Sequence, residues 1–558
     1  MRAVHEDHDR QALVDEGGGG EIPVKAYRLK LVRFGTVNFH DYVAYAKVAA
    51  VLVAWLALPA GARAGDAAGS ALPSVEEVLA HVKAAKGTAP PAYREIDDVV
   101  RGGVAEHVTL VRSGNDYRET YESRAILTAN GSYHGQAWRQ NANGQTILEQ
   151  PEPGLATRER FDRSIARIAQ PVDGFVIVEV NPRGYGTKRY VEAATWHVVR
   201  LERVTAAATT VTTYDDFRTI GGYTLPFHSV SRDGHPENDR DERTTSFEPL
   251  AAAAADVTIP PPRRALVPFP AGVTTVRLPA RLIDGRFIVR VNVGGRGLDF
   301  ELDSGASGIS VEDGVLQSLG ITPFGAFSNG VNAGRFRQST AIVPEMDVGA
   351  FTLRDVVVST LPTIDTGGRL ADVRVVGLLG FDFIAELALE LDYANGIVTA
   401  FDPATFVAPA ATAGGFVADI RVGNGQPMTT LTINGAVGER FVIDTGAAGG
   451  LLAFDYFARR HPEALSDERG GAVRSLRMSG VGGDFDVRPY VIKKVQLGNV
   501  VFEDTQVLVS GANAFGGDQD GLIGQDFLEI FDVYLDYGDS KAYFVFNRTG
   551  NAIKRPTR

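Results

Sequence analysis

The chain has no cysteine, which removes cysteine nucleophiles, thiolate metal sites and disulfides together. Its ten histidines are scattered. The one cluster, His5-Glu6-Asp7-His8, lies in a polar N-terminal stretch, and no His-Glu-x-x-His occurs, so a metallopeptidase of that type is not supported. A Gly-x-Ser-x-Gly elbow is missing too, which disfavours that class of serine hydrolase. Positive charge is short: 56 Lys and Arg stand against 68 Asp and Glu, a net charge of −12, and no basic patch marks a nucleic-acid partner. What remains is an ordinary globular balance, 44% hydrophobic and 22% charged over 558 residues, enough for three or four domains.

The apolar run Val48 to Leu58 is too short for a comfortable membrane span, which needs about 20 residues. Arg28, Lys30, Arg33 and Lys47 precede it and Pro59-Ala60-Gly61-Ala62-Arg63-Ala64 follows. Basic flank, short apolar stretch and small-x-small ending fit a secretory signal cleaved after Ala64, hence a periplasmic or secreted protein. The polar segment ahead of it, with Gly17 to Gly20, is long for a signal. No Met lies between Met1 and Met346, so a translation start nearer the run would use a non-Met codon. Residues 1–64 are expected to be a disordered N-terminus plus this signal.

Two segments read almost as copies. Phe300-Glu301-Leu302-Asp303-Ser304-Gly305-Ala306-Ser307 and Phe441-Val442-Ile443-Asp444-Thr445-Gly446-Ala447-Ala448 each run from a short strand into Asp, a hydroxyl residue, Gly and a small residue. A second shared signature follows 74 and 77 residues later, Gly377-Leu378-Leu379-Gly380-Phe381-Asp382-Phe383 and Gly521-Leu522-Ile523-Gly524-Gln525-Asp526-Phe527. A third, Leu391-Asp392-Tyr393 and Leu535-Asp536-Tyr537, keeps one spacing in both copies. Between them apolar residues alternate at period two, bounded by Gly and Asn, which predicts strands and hairpins. Two copies favour a pair of β-lobes about a pseudo-two-fold axis over a solenoid. Hydrolysing a peptide with carboxylates alone takes two of them side by side, and a duplicated lobe supplies one each.

These motifs resemble the bacterial retropepsin-like aspartic proteases, with two units fused as in the bilobal pepsin arrangement, over roughly Thr274 to Asn547. Val375-Val376-Gly377-Leu378-Leu379-Gly380 fits the family's second motif, and Gly521-Leu522-Ile523-Gly524 fits its core. The resemblance implies Asp303 and Asp444 as the catalytic pair, with Ser304 and Thr445 bonding across the lobe interface. Gly305 and Gly446 would permit tight turns whose N–H groups reach the carboxylates. Gly377, Gly380, Gly521 and Gly524 would let another strand pass close to each loop. Two carboxyls held together cannot both ionise and share a proton, so acid and base roles belong to the pair.

Asp365-Thr366-Gly367 is a third instance, but it follows a proline-containing stretch and has no counterpart in the other copy; it reads as a loop, since Asp and Gly dominate turns for local reasons. Glu301 departs from the family pattern. Lying two residues before Asp303, it shares that side of the strand and could raise the acid pKa values or select a basic substrate side chain. A solvated strand end is the preferred reading. Ser328 to Arg337 and Met478 to Asp486 are candidate flaps, the latter with glycines at its tip, able to open for substrate and close.

Residues 65–250 read as another domain. Ser74 and Glu77 make a capping box for a helix that Gly87 closes, and Asn143-Gly144 predicts a hairpin. The stretch from Thr213 to Phe227 resembles the closing strands of LolA-like lipoprotein-carrier domains, which implies an α+β antiparallel half-barrel. Such folds can contact lipid or lipoprotein, but an interaction or substrate-presenting module is the preferred reading. Ala251 to Ala255 and Pro260 to Pro262 mark a linker over 251–270. The lobes are expected at 271–407 and 416–550, joined by 408–415. The expected fold class is mainly β: two pseudo-two-fold-related acid-protease lobes after this domain.

The expected function is that of an exported, monomeric aspartic endopeptidase acting on peptide or protein substrates, with no cofactor, metal or nucleic acid. Two alternatives stand beside it. One is an inactive peptide- or lipid-binding envelope protein on a protease-like frame. The other is a pair of separate retropepsin units, each dimerising in trans.

Overall fold

The computed structural model describes residues 25–28, 72–124, 126–149, 161–181, 185–205, 208–331, 334–362, 373–409, 414–465, 475–480, 483–511, 519–553 and 555–556. The expected signal sequence and the Asp365-Thr366-Gly367 loop lie outside these residues.

The N-terminal part is a single 13-stranded antiparallel sheet with one helix, Val75–Lys86, packed on it. The helix starts where the sequence says it should. The Ser74 hydroxyl accepts from the Glu77 N–H, and the Glu77 carboxylate accepts from the Ser74 N–H, satisfying two donors that a helix leaves orphaned. Gly87 ends it at φ +73 and bridges to Tyr223, where a Cβ would meet the Gly222 carbonyl oxygen at 2.0 Å. Val75 and Val78 bury against Phe175, Ile177 and Val191 of the sheet.

Each lobe then forms its own sheet. In lobe one the strands Arg286–Val293 and Arg296–Leu302 form a hairpin, and Arg296–Leu302 also runs parallel to Val375–Leu379. Lobe two repeats this with Gln426–Ile433, Ala436–Ile443 and Gly521–Ile523. Alternation sets the faces: Phe300 and Leu302, like Phe441 and Ile443, enter one large core that spans both lobes. A six-stranded sheet ties the lobes together. Its central pairing is antiparallel between Ala388–Asp392 and Phe531–Asp536, the strands bearing the two Leu-Asp-Tyr motifs. Glu390 faces Tyr534 at the middle of that pairing, and the Tyr534 hydroxyl donates to the Glu390 carboxylate at 2.5 Å. Residues equivalent by repeat thus pair with each other, so the pseudo-two-fold axis passes here.

Three expectations meet differences. Residues 25–28, expected to be disordered, form a strand parallel to Val500–Ser510 in the lobe-two sheet; an open sheet edge offers backbone partners that local composition does not reveal. The segment read as a linker is tied down at both ends. Gln140 donates to the Pro261 carbonyl, while Leu266 and Val267 sink into the main core with their N–H groups on the Glu386 carboxylate. The Asn143-Gly144 hairpin tip is a docking element as well. Asn141 and Asn143 each donate to the Asp382 carboxylate at 2.8 Å, and Asn143 exchanges both backbone bonds of Val357.

Both candidate flaps lie at hairpin tips, Phe324–Val331 with Gly334–Val348 and Leu476–Gly480 with Gly483–Leu497. The first is gripped by the N-terminal sheet. Asn238 exchanges two hydrogen bonds with the Ser328 backbone, the Gly102 carbonyl accepts from Ala326 N–H, and the Arg124 guanidinium stacks over Phe324 at 4.6 Å.

Candidate active site

Each Asp leaves the end of its strand at a corner that the sequence builds twice. The N–H of Asp303 donates to the Leu379 carbonyl and that of Asp444 to Ile523, both at 3.0 Å, so the glycine-pair strand anchors each loop. Gly377 and Gly521 serve close approach. A Cβ would lie 2.3 Å from the Phe300 ring in lobe one and 2.0 Å from the Leu452 carbonyl oxygen in lobe two. Gly380 and Gly524 do the same for the carbonyls of Ala306 and Ala447, at 2.5 and 2.7 Å.

The two loops are interlocked. The Ser304 hydroxyl donates to the Ile443 carbonyl at 2.7 Å and accepts from the Thr445 N–H at 3.0 Å. Reciprocally, the Thr445 hydroxyl donates to the Leu302 carbonyl at 2.8 Å and accepts from the Ser304 N–H at 3.0 Å. Both residues are fully buried. Four bonds close a ring across the axis, so that both buried hydroxyls donate and accept within it.

Within that ring the carboxyls of Asp303 and Asp444 lie side by side, close enough that each shifts the other's affinity for a proton. Gly305 N–H donates to Asp303 at 2.8 Å, and Gly446 and Ala447 N–H donate to Asp444 at 2.9 and 3.0 Å. Neither Gly305 nor Gly446 has a positive φ, so the reason for glycine is space rather than turn geometry. A Cβ on Gly305 would sit 2.5 Å from the Asp444 carboxyl carbon, and one on Gly446 would sit 2.6 Å from that of Asp303. Each loop presses the opposite carboxylate.

Burial raises the pKa of both aspartates, and Asp444 is pushed further because Asp303 beside it disfavours a second negative charge. Both are walled by protein yet keep part of their surface exposed, as a group that meets a ligand must. The pair therefore holds a proton where a lone carboxyl would have lost it.

Glu301 is not solvated. It is 4% exposed, with one oxygen 3.5 Å from the Arg286 guanidinium and the other without a hydrogen-bond partner. Desolvation outweighs Arg286 and, with the charge of Asp303, pushes its pKa up to about 8. The preferred reading failed because the next strand, Arg286–Val293, covers this strand end.

Several neighbours of the pair were not singled out from the sequence. The Gln426 amide donates to the Gly305 carbonyl and accepts from the Gln519 amide, and the Gln525 amide donates to the Thr445 carbonyl at 2.9 Å. Tyr393 lies near Asp444, and Tyr537 near Asp303; burial first, and those carboxylate charges after it, disfavour the phenolate form of each. The Leu-Asp-Tyr motifs carried that signal, read only as landmarks of the repeat. A cavity of about 530 Å³ lies apart from the pair, between Asp313 and Ser339, and includes none of these groups.

Residues 289–383 and 429–527 match the aspartyl protease family, and each stretch carries one of the two aspartates. No curated protein matches the chain. Solved structures similar to its N-terminal part include an outer membrane lipoprotein-sorting protein domain from Vibrio parahaemolyticus, 11% identical over 31% of this chain and 90% of that one, TM-score 0.24. A LolA superfamily protein from Nitrosomonas europaea is 11% identical over 32% and 95%, TM-score 0.25.

Proposed function

We propose that the chain is an exported aspartic endopeptidase with one active site built from both lobes. The observation that carries this reading is the meeting of the Asp303 and Asp444 carboxyls across the interlocked loops, each held by N–H groups of its own loop and closely approached by the other lobe's glycine. With one proton between two carboxyls, the charged oxygen can take a proton from a water held between them. The neutral partner donates its own to the carbonyl oxygen of the peptide. Water oxygen bonds to the carbonyl carbon, giving a tetrahedral diol. The pair then gives its proton to the amide nitrogen and takes one from a diol hydroxyl, so that the C–N bond breaks, the new carboxyl and amine leave, and the pair is back to one proton. The N–H donors on Asp303 and Asp444 hold the oxygens in place while this happens.

The substrate class is peptide or protein, and the lobes act within one chain. No helix among the described residues is long and apolar enough to cross a membrane. Export rests on the run at Val48 to Leu58; cleavage after Ala64 would remove the strand at 25–28, and N-terminal sequencing of the exported protein decides between keeping and losing it. The N-terminal sheet, through its grip on the lobe-one hairpin, is a module that presents substrate to the cleft.

The test is cleavage of a peptide library by the wild type, Asp303→Asn and Asp444→Asn. Either substitution alone should lower kcat/KM by about 10⁴ or more, and wild-type specific activity should not fall on dilution. Partial activity in each variant, or loss on dilution, would favour separate units dimerising in trans. An inert frame would show no preference for a statine-type transition-state mimic over a substrate-like peptide.

A further inference from the structure

The repeat allows the walls beside the two aspartates to be compared position by position. Phe300 and Leu302 face the common core, so Glu301 faces the other way, with Asp303; Val442 does so with Asp444. The row through Glu301 crosses hydrogen-bonded strands as Ile288, Glu301, Leu378, Ser310 and Ser359. The equivalent row in lobe two reads Met428, Val442, Leu522, Leu452 and Leu508.

The lobe-two row belongs to one apolar cluster, against which Ala447, next to the Asp444 loop, and Met478 and Phe485 of the hairpin also pack. The lobe-one row is different in kind: Glu301 replaces Val442, Ser310 replaces Leu452 and Ser359 replaces Leu508. The trend continues one step further along each strand, where Glu312 stands for Phe454 and Gln338 for Val487, all four buried. Glu312 is held by Arg374, which donates to both its oxygens at 2.8 Å. Glu301 is held on one oxygen only, and its other oxygen is buried with no hydrogen-bond partner. A buried polar atom left open is costly, and a hydrogen-bonding group brought in by a ligand would relieve it.

We propose that the aspartate pair separates two unlike substrate subsites: an apolar one on lobe two, walled by Val442, Leu452 and Met478, and a polar one on lobe one. In the polar one, the open oxygen of Glu301 forms a hydrogen bond with a polar substrate side chain. The preferred substrate is then a peptide with an apolar residue on one side of the cut bond and a polar, hydrogen-bonding residue on the other. The inference rests on the peptidase reading above and names the specificity of that same site. Arg286 sets its geometry, holding the carboxyl by its other oxygen so that it does not turn away.

The experiment is a cleavage-site profile of the full chain on a randomised peptide library, for the wild type, Glu301→Val and Glu301→Gln. Wild-type sites should be apolar on one side and polar on the other. Glu301→Val, which installs the lobe-two residue, should move the second preference towards apolar side chains by roughly tenfold or more in relative kcat/KM, with the first preference unchanged. Glu301→Gln keeps a polar, hydrogen-bonding group there and should keep the polar preference. Wild-type sites flanked by apolar residues on both sides overturn the proposal even if neither variant folds, and so does a Glu301→Val profile identical to the wild type. An enzyme whose Asp303→Asn variant still cuts the library fails at the earlier step, as a peptidase of another kind.

Discussion

Gly305 and Gly446 are where one atom decides the site. A Cβ at Gly305 would lie 2.5 Å from the Asp444 carboxyl carbon and 2.6 Å from both its oxygens, so the residue must push that carboxyl off its partner. Gly305→Ala should lower kcat/KM by about a hundredfold through misplacement of the pair, while overpacking costs about 1–3 kcal/mol of stability. Steady-state kinetics and a melting curve separate the two effects, and unchanged kinetics would show that the close approach is not used. The Asp, hydroxyl and Gly triplets were legible as a repeated pattern. The reason for the glycines was not, because the atom they avoid belongs to the other copy, 141 residues or so away in sequence.

At the scale of elements, the loop after Gln136–Gln140 shows how far a hairpin can reach. Asn143 copies a strand neighbour for Val357 and donates to the Asp382 carboxylate, itself half-buried just after Gly380. Asn143→Ala leaves a backbone N–H, a carbonyl and one carboxylate oxygen short of partners. A loss of about 2–3 kcal/mol is expected, with faster hydrogen exchange at residues 303–306, which the Phe381 N–H to Ala306 carbonyl bond connects to this corner. Exchange unaltered there would mean that the N-terminal sheet is attached to lobe one without supporting it. Asn-Gly announced the hairpin by its turn chemistry, and Gly144 has the expected positive φ of +90°. Its partner could not be read, because Asn and Asp side chains satisfied by a distant lobe look the same in sequence as those satisfied by water.

For the whole molecule, the sign of the pH response follows from its buried acids. Glu301 is raised to about 8, Glu95 to about 7, and Asp97 and Asp382 to about 6, each chiefly by burial. A carboxyl with a higher pKa folded than unfolded binds its proton more tightly in the folded chain. Its contribution is full below the unfolded value near 4 and is lost as pH rises through the folded one. The melting temperature should therefore fall from about pH 5 to about pH 8, helped by growing repulsion in a chain of net charge −12. Glu301→Gln should flatten the upper part of that fall; a melting temperature that instead climbs over this range would contradict the protonated burial of these groups.

The duplicated motifs, the strand alternation and the capped helix are local or short-range patterns, and those were readable from residues alone: the mainly β class, the two lobes and the pair Asp303 and Asp444 as candidates. Glu301 was read as solvated, the 251–270 segment as a linker and 25–28 as disordered because burial is a property of what lies opposite. The strand Arg286–Val293 covers Glu301, the main core takes in Leu266 and Val267, and an open edge of lobe two receives 25–28. Where a residue's partner is close in sequence its role shows in the pattern; where the partner comes from another lobe, only the folded chain brings the two together.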